Sequence, residues 1–469
     1  MKKLKSWVCL SWITIFILIF SSSLYGAPLL TTEKASMTIQ EVMELIQNSY
    51  VGEELSIQQL LDGALKGIFN TLDEYSTYYT EKEYEEFIEN ITGEFGGIGV
   101  EMRKYPDHLE VLQVFSNTPA EKAGIQVGDH IEEVNGISIK DWDLERVVNE
   151  IKGPIDTEVI LTLRRGNQHI KVTLTRAAIQ INPITILPLS ERLPKNKQSN
   201  DVVPFLLYVK ISQFNGQTID AFEEVQKQIE ERKIKGILFD VRDNPGGALD
   251  QVVAVCEKIV PKGPIVHMVA KDGTKSTAYS YLSEDPMPMV VLVNGSSASA
   301  AEIFASALQD SDAGILVGQN TFGKGIVQRL YSTSYGGHFK MTTEEYLTRN
   351  GRHIHKKGLQ PDVEVIIPDI IHPITVKWDL GHEGKEVVQV KEMLQFLGYS
   401  ISDRTDQYDE VTKKEVIKFQ QQYGLYPYGV IDFTTQKMLN QAVIKKIQLE
   451  DIQLQKGYEV LRDWVQEGK

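Results

Sequence analysis

Between residues 206 and 309 the chain alternates strand-like and helix-like segments, and this alternation constrains the fold more than any other feature. The pattern predicts strands over Leu206–Ile211, Gly236–Val241 and Met289–Val293, each followed by a helix: Ile219–Arg232, Leu249–Val260 and Ala300–Gln309. Neighbouring parallel strands need a crossover connection, and helices supply it, so an α/β core with a largely parallel sheet is expected. Sites in open sheets of this kind form at the carboxyl ends of the strands. The loops after the second and third predicted strands are therefore the first place to look for chemistry.

The first of these loops runs Asp240-Val241-Arg242-Asp243-Asn244-Pro245-Gly246-Gly247. Gly246 and Gly247 can present bare backbone N–H groups to a developing oxyanion, although Pro-Gly-Gly is also an ordinary turn before a helix. The second runs Asn294-Gly295-Ser296-Ser297-Ala298-Ser299-Ala300-Ala301-Glu302. Ser299 falls where strand gives way to helix, near the positive end of the helix dipole, which favours negative charge on its oxygen or on an attacked carbonyl. Close helix packing by small residues would look the same. A nucleophilic serine needs a base, yet the nine histidines are scattered and the G-x-S-x-G elbow is absent. A lysine can serve if desolvation lowers its pKa. Lys324, between Gly323 and Gly325 and followed by Ile326 and Val327, is the candidate, although a lone lysine is by frequency a solvated surface charge.

Asn294–Glu302 followed by Gly323-Lys324-Gly325 and Gln328 resembles the C-terminal processing peptidases, also called tail-specific proteases. The resemblance implies Ser299 as nucleophile, Lys324, 25 positions on, as its base, and Gln328 as the group that orients the lysine amine. It also implies an oxyanion hole from Ala300 N–H and one N–H of Gly246 or Gly247, with no metal and no cofactor. It covers about residues 40–370, including Asp240–Gly247 and Gly358-Leu359-Gln360-Pro361-Asp362; Ala301 departs from it, since many relatives carry a small polar residue there. In a strand, positions 324 and 328 would share a face about 13 Å apart, whereas one helical turn would bring them to about 6 Å. The sequence leaves both arrangements open.

Residues 28–92 read as acidic amphipathic helices, with Val42, Leu45 and Ile46 and then Leu60, Leu61, Ala64, Leu65 and Ile68 at helical spacing. Such faces pack on a neighbour or pair two subunits. From Gly93 the texture becomes short β-type runs between Gly, Asp and Asn turns. Gly96, Gly97, Ile98 and Gly99 could gather backbone N–H groups into a nest for a peptide's terminal carboxylate, or form a plain tight turn. Pro119, Ala120, Ala123, Gly124, Ile125, Gly128, Asp129, Ile131, Val134, Asn135 and Gly136 give the order short helix, turn, strand, Asn-Gly hairpin. Residues 93–176 thereby resemble the PDZ domains of bacterial proteases, which implies recognition of substrate C-termini and gating of the site.

After a protease core over 177–380, residues 381–445 form a separate helical unit: Val387, Val390, Leu394 and Leu397 make one apolar face, and Val416, Phe419, Gln420, Gly424, Gly429, Asp432 and Leu439 follow. This looks like the small peptidoglycan-binding domain of cell-wall enzymes; a dimerisation or lid role is the alternative. The tail, 446–469, reads as one amphipathic helix docked on another part of a dimer. Lys2, Lys3 and Lys5 before the apolar run Trp7–Phe20, with small residues up to Ala27, make residues 1–27 a signal peptide or retained membrane anchor that places the rest outside the cytoplasm. Cys9 lies in that leader and Cys256 stands alone, so no disulfide framework is expected. A net charge of −15 without a basic patch disfavours nucleic acid as a partner.

The whole is expected to be a multidomain α/β and α+β chain: an α/β serine protease core with an inserted PDZ-like domain, N-terminal helices and a small helical C-terminal domain. The expected activity is that of an exported serine endopeptidase acting on protein substrates, with signalling proteolysis as one setting. A wall-bound, non-catalytic peptide-binding scaffold is the rival from another class; the presence of Ser, Lys and Gln together argues against it. A Ser/Lys peptidoglycan hydrolase or transpeptidase is disfavoured because no S-x-x-K spacing surrounds Ser299.

Overall fold

A computed structural model describes residues 30–193, 205–283, 286–333 and 336–467, which fall into two compact units. The predicted leader over 1–27 lies outside the described residues. No described helix is long and apolar enough to cross a membrane.

The smaller unit comprises residues up to 82 together with 329–342. It contains helices α1 (Thr32–Ser49) and α2 (Ile57–Phe69) and strand β1 (Thr77–Tyr79), which pairs antiparallel with residues 338–340. Ser56 starts α2 with a capping box: its hydroxyl accepts from Gln59 N–H while the Gln59 side chain bonds back to Ser56 N–H. Phe69, Tyr78, Tyr331 and Phe339 stack into its aromatic centre. No residue of α1 is buried.

In the larger unit, α3 (Glu81–Thr92) leads into β2 (Glu94–Gly97). A module follows: β3 (Val100–Lys104), β4 (Leu109–Val114), α4 (Pro119–Lys122), β5 (His130–Val134), β6 (Ile137–Ser138), α5 (Leu144–Ile151), β7 (Glu158–Arg165) and β8 (Gln168–Thr175). The chain leaves it through β9 (Ala177–Gln180), which pairs antiparallel with β2 to make a two-stranded stem. Its strands run β3-β4-β5-β7-β8, with β6 on β5. Asn135 and Gly136 both have positive φ, the conformation that a two-residue hairpin between twisted strands demands. Leu109, Val111, Val147, Val159, Leu161 and Leu163 are inaccessible and form the module's core.

Beyond the stem come β10 (Ile184–Pro188), α6 (Leu189–Arg192), β11 (Leu206–Ile211), α7 (Thr218–Arg232), β12 (Gly236–Asp240), α8 (Leu249–Ile259), β13 (Gly263–Ala270), β14 (Lys275–Ser280), β15 (Met289–Val293), α9 (Ala300–Asp310), β16 (Gly314–Gly318), β17 (Ile326–Ser332), β18 (His338–Thr348) and β19 (Val363–Glu364). The sheet order is β10-β11-β12-β15-β16-β19, parallel from β11 onwards, with β10 antiparallel at its edge. The expected α/β core is present, and each predicted strand and helix boundary falls within a residue of the observed one. Every residue of β12 and β15 is buried, because the sheet is covered on both faces. Helices α7, α8 and α9 cover one face.

The last elements are α10 (Lys385–Leu397), α11 (Glu410–Gln422), α12 (Phe433–Leu449) and α13 (Ile452–Glu467). The first three share a core of Val387, Val390, Leu394, Val416, Phe419 and Leu439. Segment 371–378 belongs to this module: Ile371 bonds to Asn440, Ile374 to Gln436, and Trp378 pairs with Ile431. The module thus takes in residues that the sequence reading gave to the protease core. The tail corrects a second expectation. Rather than docking elsewhere in a dimer, α13 lies on the second face of the chain's own parallel sheet, where Leu454, Tyr458 and Leu461 pack with Leu238, Val290, Leu292 and Val317. Burying each of the three contributes about 1.5–3 kcal/mol. Gly457 permits the approach, since a Cβ there would stand 2.8 Å from Leu292 Cδ2.

Candidate active site

The loops after β12 and β15 meet at the carboxyl end of the sheet because their own polar groups tie them together. Asn294 Oδ1 accepts from Asp243 N–H at 3.0 Å, and Asn294 Nδ2 donates to Asp243 Oδ1 at 2.8 Å. Ser297 Oγ donates to Val241 O at 2.8 Å, and Ala298 N–H donates to Asn244 O at 3.0 Å. Asn244, fully buried, donates in turn to Ile211 O at the end of β11. Three strand ends are locked into one platform.

Ser299 stands on this platform at the N-cap of α9 with φ 54° and ψ −114°. A non-glycine residue in that region carries about 1–3 kcal/mol of strain and persists only where its surroundings over-determine it. Two bonds do so here: Ser299 N–H donates to Glu302 Oε2 at 2.9 Å, and Ser299 O accepts from the Tyr346 hydroxyl at 3.0 Å. Burial, with the Glu302 charge adding to it, pushes the Tyr346 phenol well above its ordinary pKa, so it remains a donor.

Glu302 has no accessible surface and accepts four hydrogen bonds. Oε1 takes Thr321 Oγ1 at 2.5 Å and Gly323 N–H at 2.8 Å; Oε2 takes Ser299 N–H and, at 2.8 Å, Lys324 N–H. The backbone nitrogens of Ser299 and Lys324 thus share one acceptor and lie within about 6 Å of each other, the two bonds end to end. Thr321 Oγ1 also accepts from Leu359 N–H at 2.7 Å, which ties the 358–362 loop to the same point. Ser299 and Lys324 are both half-buried. Gln328 is half-buried in β17, and Lys324 precedes that strand, so no helical turn joins the two.

Of the two glycines, Gly246 abuts the serine: a Cβ on it would meet Ser299 Cβ at 2.8 Å and Ala300 N at 2.9 Å. Its N–H donates to Asn244 Oδ1 at 2.8 Å, whereas Gly247 is exposed. Ala300 is buried at the first position of α9, where a backbone N–H has no partner within the helix. Gly96 and Gly97 lie elsewhere, in the stem, opposite Ala178 and Ala177. Ile98 is buried in the module core and Gly99 turns with φ 82°. The structure adds Glu302, Thr321 and Tyr346 to the residues expected around Ser299. Of these only Glu302 had a legible signal, the S-x-x-E spacing of a helix start.

A second charged cluster sits behind the first loop. Arg242 pairs with Asp240 at 2.7 Å and with Asp451, just ahead of α13, at 2.8 Å. Burial alone would depress the guanidinium, but its bonds to the two carboxylates raise it above its ordinary value. Tyr208 donates to Asp240 at 2.8 Å, and burial with the Asp240 charge pushes its phenol up to about 12.

The sequence matches the Peptidase family S41 over residues 206–365, a PDZ domain over 110–165 and a peptidoglycan binding domain over 383–439. It is 33% identical to the carboxy-terminal processing protease CtpB of Bacillus subtilis over 90% of this chain and 88% of the relative. It is 31% identical to a CtpA-like serine protease of Staphylococcus aureus over 92% of this chain and 86% of the relative. Among solved structures, the photosystem II D1 C-terminal processing protease is 27% identical over 71% of this chain and 93% of that one, with a TM-score of 0.43. With the S41 match, the PDZ match and at least 31% identity to the two bacterial proteases over 90% or more of its length, the chain belongs to the C-terminal processing family of S41 serine proteases.

Proposed function

We propose that the chain is an extracytoplasmic endopeptidase in which Ser299 is the nucleophile, Lys324 the general base and Gln328 the residue that orients the lysine amine. One observation carries this reading: a single buried carboxylate, Glu302, bonds the backbones of both Ser299 and Lys324, while Ser299 is held strained at a helix N-terminus. Neutral Lys324 takes the Ser299 hydroxyl proton as Oγ attacks the substrate carbonyl, and the negative charge on the carbonyl oxygen falls to Ala300 N–H and, since Gly246 N–H is engaged by Asn244, to Gly247 N–H. Collapse breaks the C–N bond, the leaving amine takes the proton from Lys324, and water then hydrolyses the acyl-enzyme by the same route in reverse. The PDZ domain captures the C-terminus of a protein substrate and governs its access to the site. The C-terminal helical module contacts peptidoglycan, the N-terminal segment directs export, and two copies pair through the N-terminal helices. Signalling proteolysis in the cell envelope is the setting such a device suits.

The test is cleavage of an unfolded protein by the parent, Ser299→Ala and Lys324→Ala chains, with circular dichroism as the check on folding. Folded but inactive variants are expected. Activity surviving in both would remove the mechanism.

A further inference from the structure

We infer that Glu302 is the positioning residue that sets the distance between nucleophile and base, an inference that rests on the Ser299/Lys324 reading above. A carboxylate with no accessible surface carries a heavy desolvation cost, and an apolar side chain of similar size would fill the same volume without it. What the carboxylate adds is therefore its four bonds, all of them from backbone N–H groups or a hydroxyl, two on each oxygen. That is the full acceptor capacity of an ionised carboxylate.

The donors are distributed between the two halves of the site. Ser299 N–H belongs to the nucleophile's turn, while Thr321, Gly323 and Lys324 belong to the loop that carries the base. Gly323 and Gly325 let that loop lie close against residues 354–358: a Cβ on Gly323 would meet Gly358 N at 2.7 Å, and one on Gly325 would meet His355 N at 2.7 Å. Glu302 thus bridges two segments that are not neighbours in the sequence, and it acts on their backbones. Being buried, it does not touch the substrate. It also restrains the peptide on the N-terminal side of Ser299 while the Tyr346 hydroxyl restrains the one on the C-terminal side, which together hold the serine at φ 54°. Loss of the carboxylate should loosen the placement of hydroxyl and amine without altering substrate capture.

Glu302→Gln in the full chain is the test. The amide must turn its NH2 group toward one of the two donor pairs, so at least one pair loses its acceptor. On an unfolded protein substrate kcat should fall about 100-fold, the order that ångström-scale misplacement produces. KM should stay within about twofold, because the loss is confined to the transition state. Labelling of Ser299 by a fluorophosphonate should slow by the same factor as kcat. If the variant does not fold, Thr321→Val, which removes the hydroxyl donor, should lower kcat alone, and Thr321→Ser should recover most of it. A Glu302→Gln chain with kcat within about threefold of the parent, or a Thr321→Val chain equally active where Glu302→Gln does not fold, overturns the inference. Ser299→Ala assayed alongside separates the two readings. If it is inactive while Glu302→Gln remains active, only the positioning role fails; if it is active, the nucleophile assignment fails.

Discussion

Gly246 shows how tightly individual residues are specified around Ser299. Its φ is 103°, and a methyl group there would sit 2.8 Å from both Ala298 O and Ser299 Cβ. The first is backbone and cannot swing aside, so Gly246→Ala should destabilise the fold by about 1–3 kcal/mol and displace the serine. Peptide cleavage should be lost even where thermal melting shows a folded chain. Tyr346→Phe is the milder probe. It removes one donor to Ser299 O, a loss of about 1 kcal/mol or slightly more, and turnover should drop by roughly tenfold. Because burial and the Glu302 charge raise the Tyr346 phenol far above neutrality, this drop should be the same across pH 6–8, which a pair of pH–rate profiles would check. A tenfold loss confined to one end of that range would contradict the assignment of Tyr346 as a permanent donor.

Among the elements, α13 joins the end of the chain to the loop that carries the glycines, because Asp451 ahead of the helix pairs with Arg242 two residues from Asn244. Burial would raise the Asp451 carboxyl, but the Arg242 hydrogen bonds hold it below the usual carboxylate range. A carboxyl depressed on folding contributes stability that is full above its unfolded pKa, about 3.9, and vanishes as pH falls through the folded value. Asp451→Asn should therefore cost about 2 kcal/mol in urea unfolding at pH 7, with parent and variant converging below about pH 4. Equal midpoints at pH 7 would show that the ion pair does not hold the tail. This contact also marks where the sequence stopped being legible. Strands β12 and β15 could be read from their short apolar runs, Ile237–Phe239 and Met289–Val293, and their helices because each follows a strand. That α13 covers its own sheet could not be read, since an amphipathic stripe states that a face is buried and not against what. The same holds for segment 371–378, whose placement depends on the buried side chains Gln436 and Asn440 more than 60 positions away. At the site, a strand, a turn and a helix start betrayed Ser299, while Tyr346 gave no signal because its role arises only once β18 is folded.

The N-terminal helices raise a question that belongs to the assembled molecule. On α1, Ile39, Val42 and Leu45 recur every three residues and are 38%, 49% and 63% exposed, and no residue of the helix is buried. An apolar stripe of this kind in water favours a partner surface. A second copy of the chain supplies one by symmetry, since a two-fold axis brings the same stripe against itself. Such pairing would exchange water for apolar contact along the whole helix, whereas a single glutamate introduced there would have to be desolvated without a partner. On this reading the parent should run as a dimer in size-exclusion chromatography with light scattering at micromolar concentration, and the double variant Val42→Glu/Leu45→Glu as a monomer. The variant's circular dichroism spectrum should match the parent's, because neither side chain is buried within one chain. A parent that is monomeric under these conditions, or a double variant that remains dimeric, would place the subunit contact away from α1.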